Sequence, residues 1–545
     1  MSQQSFNVIS AADMAYQLYQ SKQYHECVDM CIQVLALDCT RADIWNLAGI
    51  VMLELKLYER AIEYFTQAAQ SQREQPHYSI NLAEAYRRNG EPQKCITLLC
   101  DLLNTHSQLQ ENSSLHFNLA KAYSDKEDSH NSIKHYTIAI KLDPNDLGAM
   151  FNLANVRVGL KHFGEAIELY LHALSKGYLD AGVNLASIYT QMGHFGEAIK
   201  IYQALHTHYK ADSDFLFNYA NALNYANVDM QSTQILYKQA IALNGLRAEY
   251  YINYAHFLFK MLQFEEGFRI YEERKKLPNM IPQDITNIWQ ADVGLNALVN
   301  QHVLVYYEQG FGDSIMFARF LPLLKEIVKS VCVIIQEPLI PLFTKLQIPC
   351  VGSIEQVGHY DVAISLLSLP LAFGVKSIQD LQIMPFMLKE RSPHNKVKNI
   401  GICFSTDSQF SQAANKSIPL ETLMNALQEY APFIKLYSLN KPQCDTLATY
   451  HIAQRAMNDF GDTYEIIKDM DLVISIDTAV AHLSASMGKP TLVLLHKLYD
   501  WRWGNGIRTP WYEHVICFTQ SKMHHWEDVM LNLKAYLKEW LSLYP

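Results

Sequence analysis

No two cysteines in this chain are spaced Cys-x-x-Cys, and its ten cysteines are spread thinly over 545 residues. That usage argues against a zinc site and fits a reducing cytosol. Cys27 and Cys31 lie four apart in a helical pattern, where core packing is expected rather than metal binding. Basic residues are also short. Lys and Arg number 45 against 55 Asp and Glu, for a net charge of −10 and a pI near 6.1. Such a balance argues against nucleic acid as the main partner. No stretch reaches about 18 apolar residues without a charge, so no membrane span is expected. The opening MSQQSFNVIS lacks the basic and then apolar run of a secretory signal. A cytoplasmic location is therefore expected, with export by a route lacking a recognisable signal left open. No carboxylate pair looks suited to a divalent metal, so none is expected.

The chain does have apolar bulk, 49% of its residues. Its length suggests roughly three or four domains. The amino-terminal half carries a repeat. Equivalent small positions recur at Cys27, Ala61, Cys95, Ser132, Ala166, Ala198, Thr233 and Gly267, in steps of 34, 34, 37, 34, 32, 35 and 34. A period near 34 with two helices per unit is the tetratricopeptide signature. Trp45, Gly49, Ala61, Phe65 and Ala68 fit one unit, and Ala154, Ala166, Tyr170 and Ala173 fit another. No unit can bury its apolar face alone, so about eight are expected to stack into an α-solenoid over residues 1–282.

Within the repeats an Asn-Leu/Tyr-Ala triplet recurs at Asn46, Asn81, Asn118, Asn152, Asn184, Asn218 and Asn253, with Asp13 in that phase in the first unit. Asparagine costs about half a kcal/mol or more per helical site relative to alanine. A primary amide offers a donor and an acceptor together, so a ladder of them can hold an extended peptide by its backbone. Bonding to a neighbouring helix is the alternative. The ladder resembles that of the O-linked N-acetylglucosaminyltransferases, in which such asparagines bind the acceptor polypeptide. That resemblance implies a protein or peptide acceptor in the groove.

The carboxyl-terminal half reads as α/β. Helical periodicity lapses from Pro282 to Ala297, where Trp289 lies in a linker packed on the next domain. Strands are expected at 302–307, 331–336 and 360–366, then at 399–404, 434–439, 472–477, 491–495 and 514–519. A polar connection at Lys389–Lys398 separates an amino-terminal lobe, 283–392, from a carboxyl-terminal lobe, 393–545, which closes with a helix from about Trp526 to Leu543. Alternation of this kind implies parallel sheets with right-handed crossovers. The first strand runs into Glu308, Gln309, Gly310, Phe311, Gly312 and Asp313, ahead of a helical pattern on Phe317, Leu321, Leu324 and Val328. In an open sheet this loop lies where ligands bind. Its glycines are expected to let the backbone turn and to leave room for a ligand. Asp313 is expected to cap the helix or to face a substrate. In the second lobe, DLVISIDTAVAHLSASMGKPTLVLL puts Asp477 at a strand end, with Thr478 and Ala479 opening a helix and His482 on the same face as Thr478. Such a helix start stabilises phosphate, while the plainer expectation is that Asp477 caps it and His482 packs.

EQGFGDSIMFARFLPLL, KSIPL at 416–420, DLVISIDTAVAHLSASMGKP and DWRWG at 500–504 together resemble the tetratricopeptide-bearing relatives of the bacterial heptosyltransferases. The likeness spans roughly 289–520. It implies a GT-B pair of Rossmann-like lobes, acceptor side first and nucleotide-sugar side second. It implies Asp313 as catalytic base, Lys416 on the donor phosphates, and Asp477, Thr478, Ala479 and His482 lining the nucleotide-sugar site. The relatives carry several basic residues ahead of the lysine. Here Phe404 to Asn415 has none before Lys416, a weaker positive field. The expected activity is metal-independent, inverting sugar transfer from a nucleotide diphosphate sugar to a hydroxyl, with that sugar as co-substrate and no further cofactor. Two alternatives stand beside it: a non-catalytic tetratricopeptide scaffold with a degenerate transferase domain, and a glycan- or lipid-directed enzyme like the heptosyltransferases.

Overall fold

The computed structural model describes residues 8–278, 280–381, 397–406, 413–441 and 446–543. Most of the connection expected at Lys389–Lys398 lies outside them. The chain forms two compact units, Met1–Ile188 and Tyr189–Pro545.

Among the described residues, successive helices of the first unit pack in five pairs, from Val8–Gln20 on Tyr24–Leu37 to Leu147–Gly159 on Phe163–Ser175, and in the second unit Ser213–Ala226 packs on Met230–Leu243 and Ala248–Lys260 on Phe264–Tyr271. The eight small residues of the repeat are buried where paired helices cross. Space explains two glycines. A Cβ on Gly49 would meet the Phe65 ring at 2.7 Å, and one on Gly267 would meet the Phe259 ring at 2.7 Å. Two of the small polar residues also bond to a carbonyl of the facing helix. Cys27 Sγ donates to Ala15 O at 3.2 Å and Ser132 Oγ to Ala120 O at 3.0 Å. The 37-residue step has a local cause, a 3-10 turn at Ser107–Glu111 inserted between the third and fourth pairs.

The second unit holds two fully parallel sheets. The first contains β1 (His302–Tyr306), β2 (Ser330–Ile334), β3 (Cys350–Val351) and β4 (Val362–Ser365) in the order β3-β2-β1-β4. The second contains β5 (Lys398–Cys403), β6 (Ile434–Ser438), β7 (Leu472–Ile476), β8 (Thr491–Leu495) and β9 (Val515–Thr519) in the order β6-β5-β7-β8-β9. Every expected strand forms, and the two-residue β3 is an addition. Buried valines, leucines and isoleucines fill the central strands, as parallel sheets covered on both faces require. Trp289 is buried, and its backbone N–H donates to Ala363 O at 2.7 Å, which adds the linker to the edge of β4. The helix Glu527–Ser542 closes the second sheet through Val529, Leu533, Leu537 and Trp540. Among the described residues no helix is long and apolar enough to cross a membrane.

Strand order fixes where a ligand can sit. In the first sheet the order reverses between β1 and β4; in the second it reverses between β5 and β7. Crevices for ligands open at the carboxyl ends of strands at such reversals. Glu308–Asp313 follow β1, Phe404–Thr406 follow β5, and Asp477–Thr478 follow β7. The residues singled out in the two lobes therefore cluster at both reversals.

Candidate active site

After β1 the chain enters the helix Phe311–Phe317 through Gly310, which is extended at φ −69°. Neither Gly310 nor Gly312 has a positive φ, so the turn does not depend on glycine freedom. Gly312 is needed for another reason. A Cβ there would lie 2.8 Å from Cδ2 of His482 on the helix Ala479–Ser486, against which its own helix packs. The space expected for a ligand at Gly312 is thus taken by the other lobe.

Asp313 lies in the first turn of its helix and does not cap it. Its Oδ1 accepts from the Arg502 guanidinium of the second lobe. Burial raises the Asp313 pKa; Arg502 opposes that rise, and Asp500 and Asp477 add to it. Arg502 also donates to Asp500 Oδ1 at 2.7 Å and to Gln309 Oε1 at 3.1 Å. Burial works against the Arg502 charge, but Asp313 and Asp500 outweigh it and hold the guanidinium protonated. The other half of Gln309 donates to Tyr271 Oη at 2.9 Å.

Glu308 goes inward. Its carboxylate takes a two-pronged grip from Arg274, 2.7 Å from Nε and 3.1 Å from the nearer terminal nitrogen. Arg274 comes from the 3-10 turn Glu272–Lys276 at the end of the repeats. It also reaches Ser368 Oγ at 2.9 Å, beyond β4, and Glu272 at 2.7 Å. The reversal of the first sheet is therefore filled by an arginine of the repeat array.

In the second sheet Asp477 caps nothing. One oxygen accepts from Lys416 Nζ at 2.7 Å and the other from Trp503 Nε1 at 2.8 Å. Thr478 occupies the N-cap in extended conformation with its hydroxyl turned back toward Ser475 Oγ, 3.1 Å away. The first amides of Ala479–Ser486 are left without a partner inside the helix, as at every helix start. Lys416 keeps part of its side chain in solvent. Asn440 ties the neighbouring strand ends, accepting from Phe404 N at 2.9 Å and donating to Ser405 O at 2.7 Å.

His482 lies inside. Its Nδ1 meets Tyr512 Oη at 2.9 Å and its ring stacks on Trp503 at 4.6 Å. Burial drops its pKa to about 3, against the pull of Asp477, so the ring is neutral. It packs between the lobes, as the plainer expectation had it, rather than facing the surface with Thr478. The structure thus gathers Asp313, Lys416, Asp477, Thr478 and His482 into one connected cluster. Arg274 and Tyr271 are the members that sequence reasoning missed, and Asp500 and Arg502 stood in the DWRWG motif with no role assigned to them. Among the described residues no group of acidic, histidine or cysteine side chains is arranged to hold a metal ion.

The seven asparagines of the ladder are all half-buried. Asn81 donates to Asn46 at 2.7 Å, Asn184 to Asn155 at 2.8 Å and Asn253 to Asn221 at 3.3 Å. These rungs bond to neighbouring helices. Among the described residues Asn118, Asn152 and Asn218 have no side-chain partner.

One tetratricopeptide-repeat family matches residues 42–75 and 113–146, and a second tetratricopeptide family matches 183–214. Similar solved structures include PilW, a type IV pilus biogenesis factor, at 14% identity and TM-score 0.35, covering 38% of this chain and 95% of that one. MamA from Desulfovibrio magneticus is similar at 13% identity and TM-score 0.29, covering 31% and 95%. YrrB, described as a tetratricopeptide protein with an unusual peptide-binding site, is similar at 15% identity and TM-score 0.26, covering 31% and 86%. No curated protein matches the chain. The chain thus carries tetratricopeptide repeats followed by two parallel sheets.

Proposed function

We propose that this chain moves a sugar from a nucleotide diphosphate sugar to a hydroxyl group, through a GT-B pair of lobes, and that its repeats hold the protein or peptide bearing that hydroxyl. One observation carries the reading. The loops at the two strand-order reversals, one bearing Asp313 and the other Asp477 and Thr478, are joined through Arg502 and the packing of His482 on Gly312. In transfer the acceptor oxygen attacks the anomeric carbon while its proton passes to Asp313 Oδ2, the oxygen not paired with Arg502. The bond from that carbon to the phosphate oxygen breaks, and its electron pair leaves with the nucleoside diphosphate. Lys416, with two N–H groups beyond the one on Asp477, and the amides after Thr478 stabilise that charge where it forms. Direct displacement inverts the anomeric centre.

Calorimetric titration with a panel of nucleotide diphosphate sugars tests the donor site. One sugar should bind, and K416A should weaken it about ten- to a hundredfold, the worth of a hydrogen bond to a charged group. An unchanged constant in K416A would remove the lysine from the phosphate site. The rival reading, a binding scaffold, draws on the ion pairs that engage both Asp313 and Lys416 and on the lack of basic residues before Lys416. Failure of every sugar to bind would establish it.

The repeats give a separate expectation. Replacing Asn118, Asn152 and Asn218 together by Ala breaks no side-chain bond among the described residues and improves helix propensity by roughly half a kcal/mol per site. The triple variant should melt no lower than the parent while its apparent constant for a peptide acceptor rises. Unaltered peptide affinity would leave those amides without a binding role.

A further inference from the structure

Arg502 is buried, and its guanidinium has donors committed to one acceptor from its own segment, Asp500, and to two from the first lobe, Asp313 and Gln309. It is braced from below by the Trp501 ring, 4.5 Å from the guanidinium carbon. Its backbone N–H donates to Asp500 Oδ1 at 3.0 Å, which fixes the turn it stands on. Trp501 in turn packs on Phe259 and His256 of the last repeat. A planar fork held this firmly sets the plane and angle of the carboxylate it grips. One oxygen of Asp313 is engaged and the other is turned toward Gly310, where a Cβ would lie 3.9 Å from it.

We infer that Arg502 is the positioning residue for Asp313: it fixes which carboxylate oxygen receives the acceptor proton and, with Asp500, sets how readily that oxygen takes it. The assignment rests on the transferase reading. A lysine in place of Arg502 presents a point charge and cannot satisfy Asp313, Asp500 and Gln309 in one plane.

The charges around Asp313 give the test its sign. Arg502 and Asp500 face it from the turn after β8, and Asp477 from the end of β7. Tyr271 faces it from the last repeat helix with its pKa raised to about 12 by burial, and so stays neutral. His482 stands against the neighbouring Gly312 from the opposing helix and is also neutral. Arg502 lowers the Asp313 pKa and Asp500 raises it. The acidic limb of kcat/KM, which reports the free base, should therefore move up in R502Q and down in D500N. R502K keeps the charge but loses the fork, so its kcat should fall about ten- to a hundredfold with donor affinity retained.

The experiment measures pH–rate profiles of the full chain and its three variants with the nucleotide sugar that binds, each variant first checked for the parent's melting temperature. Opposite limb shifts in R502Q and D500N support the assignment, because general structural damage does not reverse sign between neighbours. Should R502Q fail to fold, the downward shift in D500N and the kcat loss in R502K decide it. Unmoved limbs with parental kcat in R502K overturn the assignment while the transferase reading stands. A parent chain that turns over no nucleotide sugar overturns both.

Discussion

Substituting Asp313 by Asn should lower kcat about a hundred- to ten-thousandfold, the usual contribution of a general base, while nucleotide affinity changes little. The amide is nearly isosteric and its oxygen can still accept from Arg502, so the contact between the lobes persists. What is lost is an oxygen able to take a proton. In single-turnover kinetics the defect should appear in the chemical step, with donor binding measured separately by calorimetry. Parental turnover in D313N would strip Asp313 of the base role and leave it as a partner in a structural ion pair.

The other large effect is on stability. Arg274 and Glu308 are each almost entirely buried, and Glu272 and Ser368 share the arginine. Burial works against the Arg274 charge, but Glu308 and Glu272 outweigh it and raise its pKa. Removing one member of such a pair strands a charge in the interior, which costs roughly 3–5 kcal/mol. R274M should therefore shift the urea midpoint of the sheet-bearing unit well downward. Replacing the pair together, R274M with E308M, should recover much of the loss, since well-packed apolar groups in place of a whole ion pair are often neutral. If R274M alone unfolds at the parent's midpoint, the pair contributes nothing and the grip of the repeats on the loop after β1 is incidental.

The sequence was most legible where a pattern repeats. Eight small residues near a 34-residue spacing located the repeat units, because only small side chains fit where paired helices cross. Apolar β-branched runs located the long strands, but Cys350–Val351 is too short to show a pattern and forms only because it pairs with Val333 and Ile334. The loops at 308–313 and 477–482 could be found because a strand, a turn and a helix follow one another locally. Their partners could not. Arg274 sits in GluGluArgLysLys, which reads as a solvated charge run, and nothing local marks the one arginine that turns inward. Arg502 stands in the DWRWG motif, between two tryptophans that both prove buried, but nothing local says that it grips Asp313. The glycine loop misled for a related reason: what stands against Gly312 is His482, 170 residues further along, and only the tertiary contact shows that the missing side chain makes way for a ring.

That ring against a bare backbone limits how the lobes can move. Phe311–Phe317 and Ala479–Ser486 touch with no room for even a methyl group between Gly312 and His482, so sliding one helix along the other means climbing over the imidazole. Rotation about this point is easier than translation past it. Any displacement of one sheet against the other would therefore have to pivot near Gly312, with the imidazole as its fulcrum.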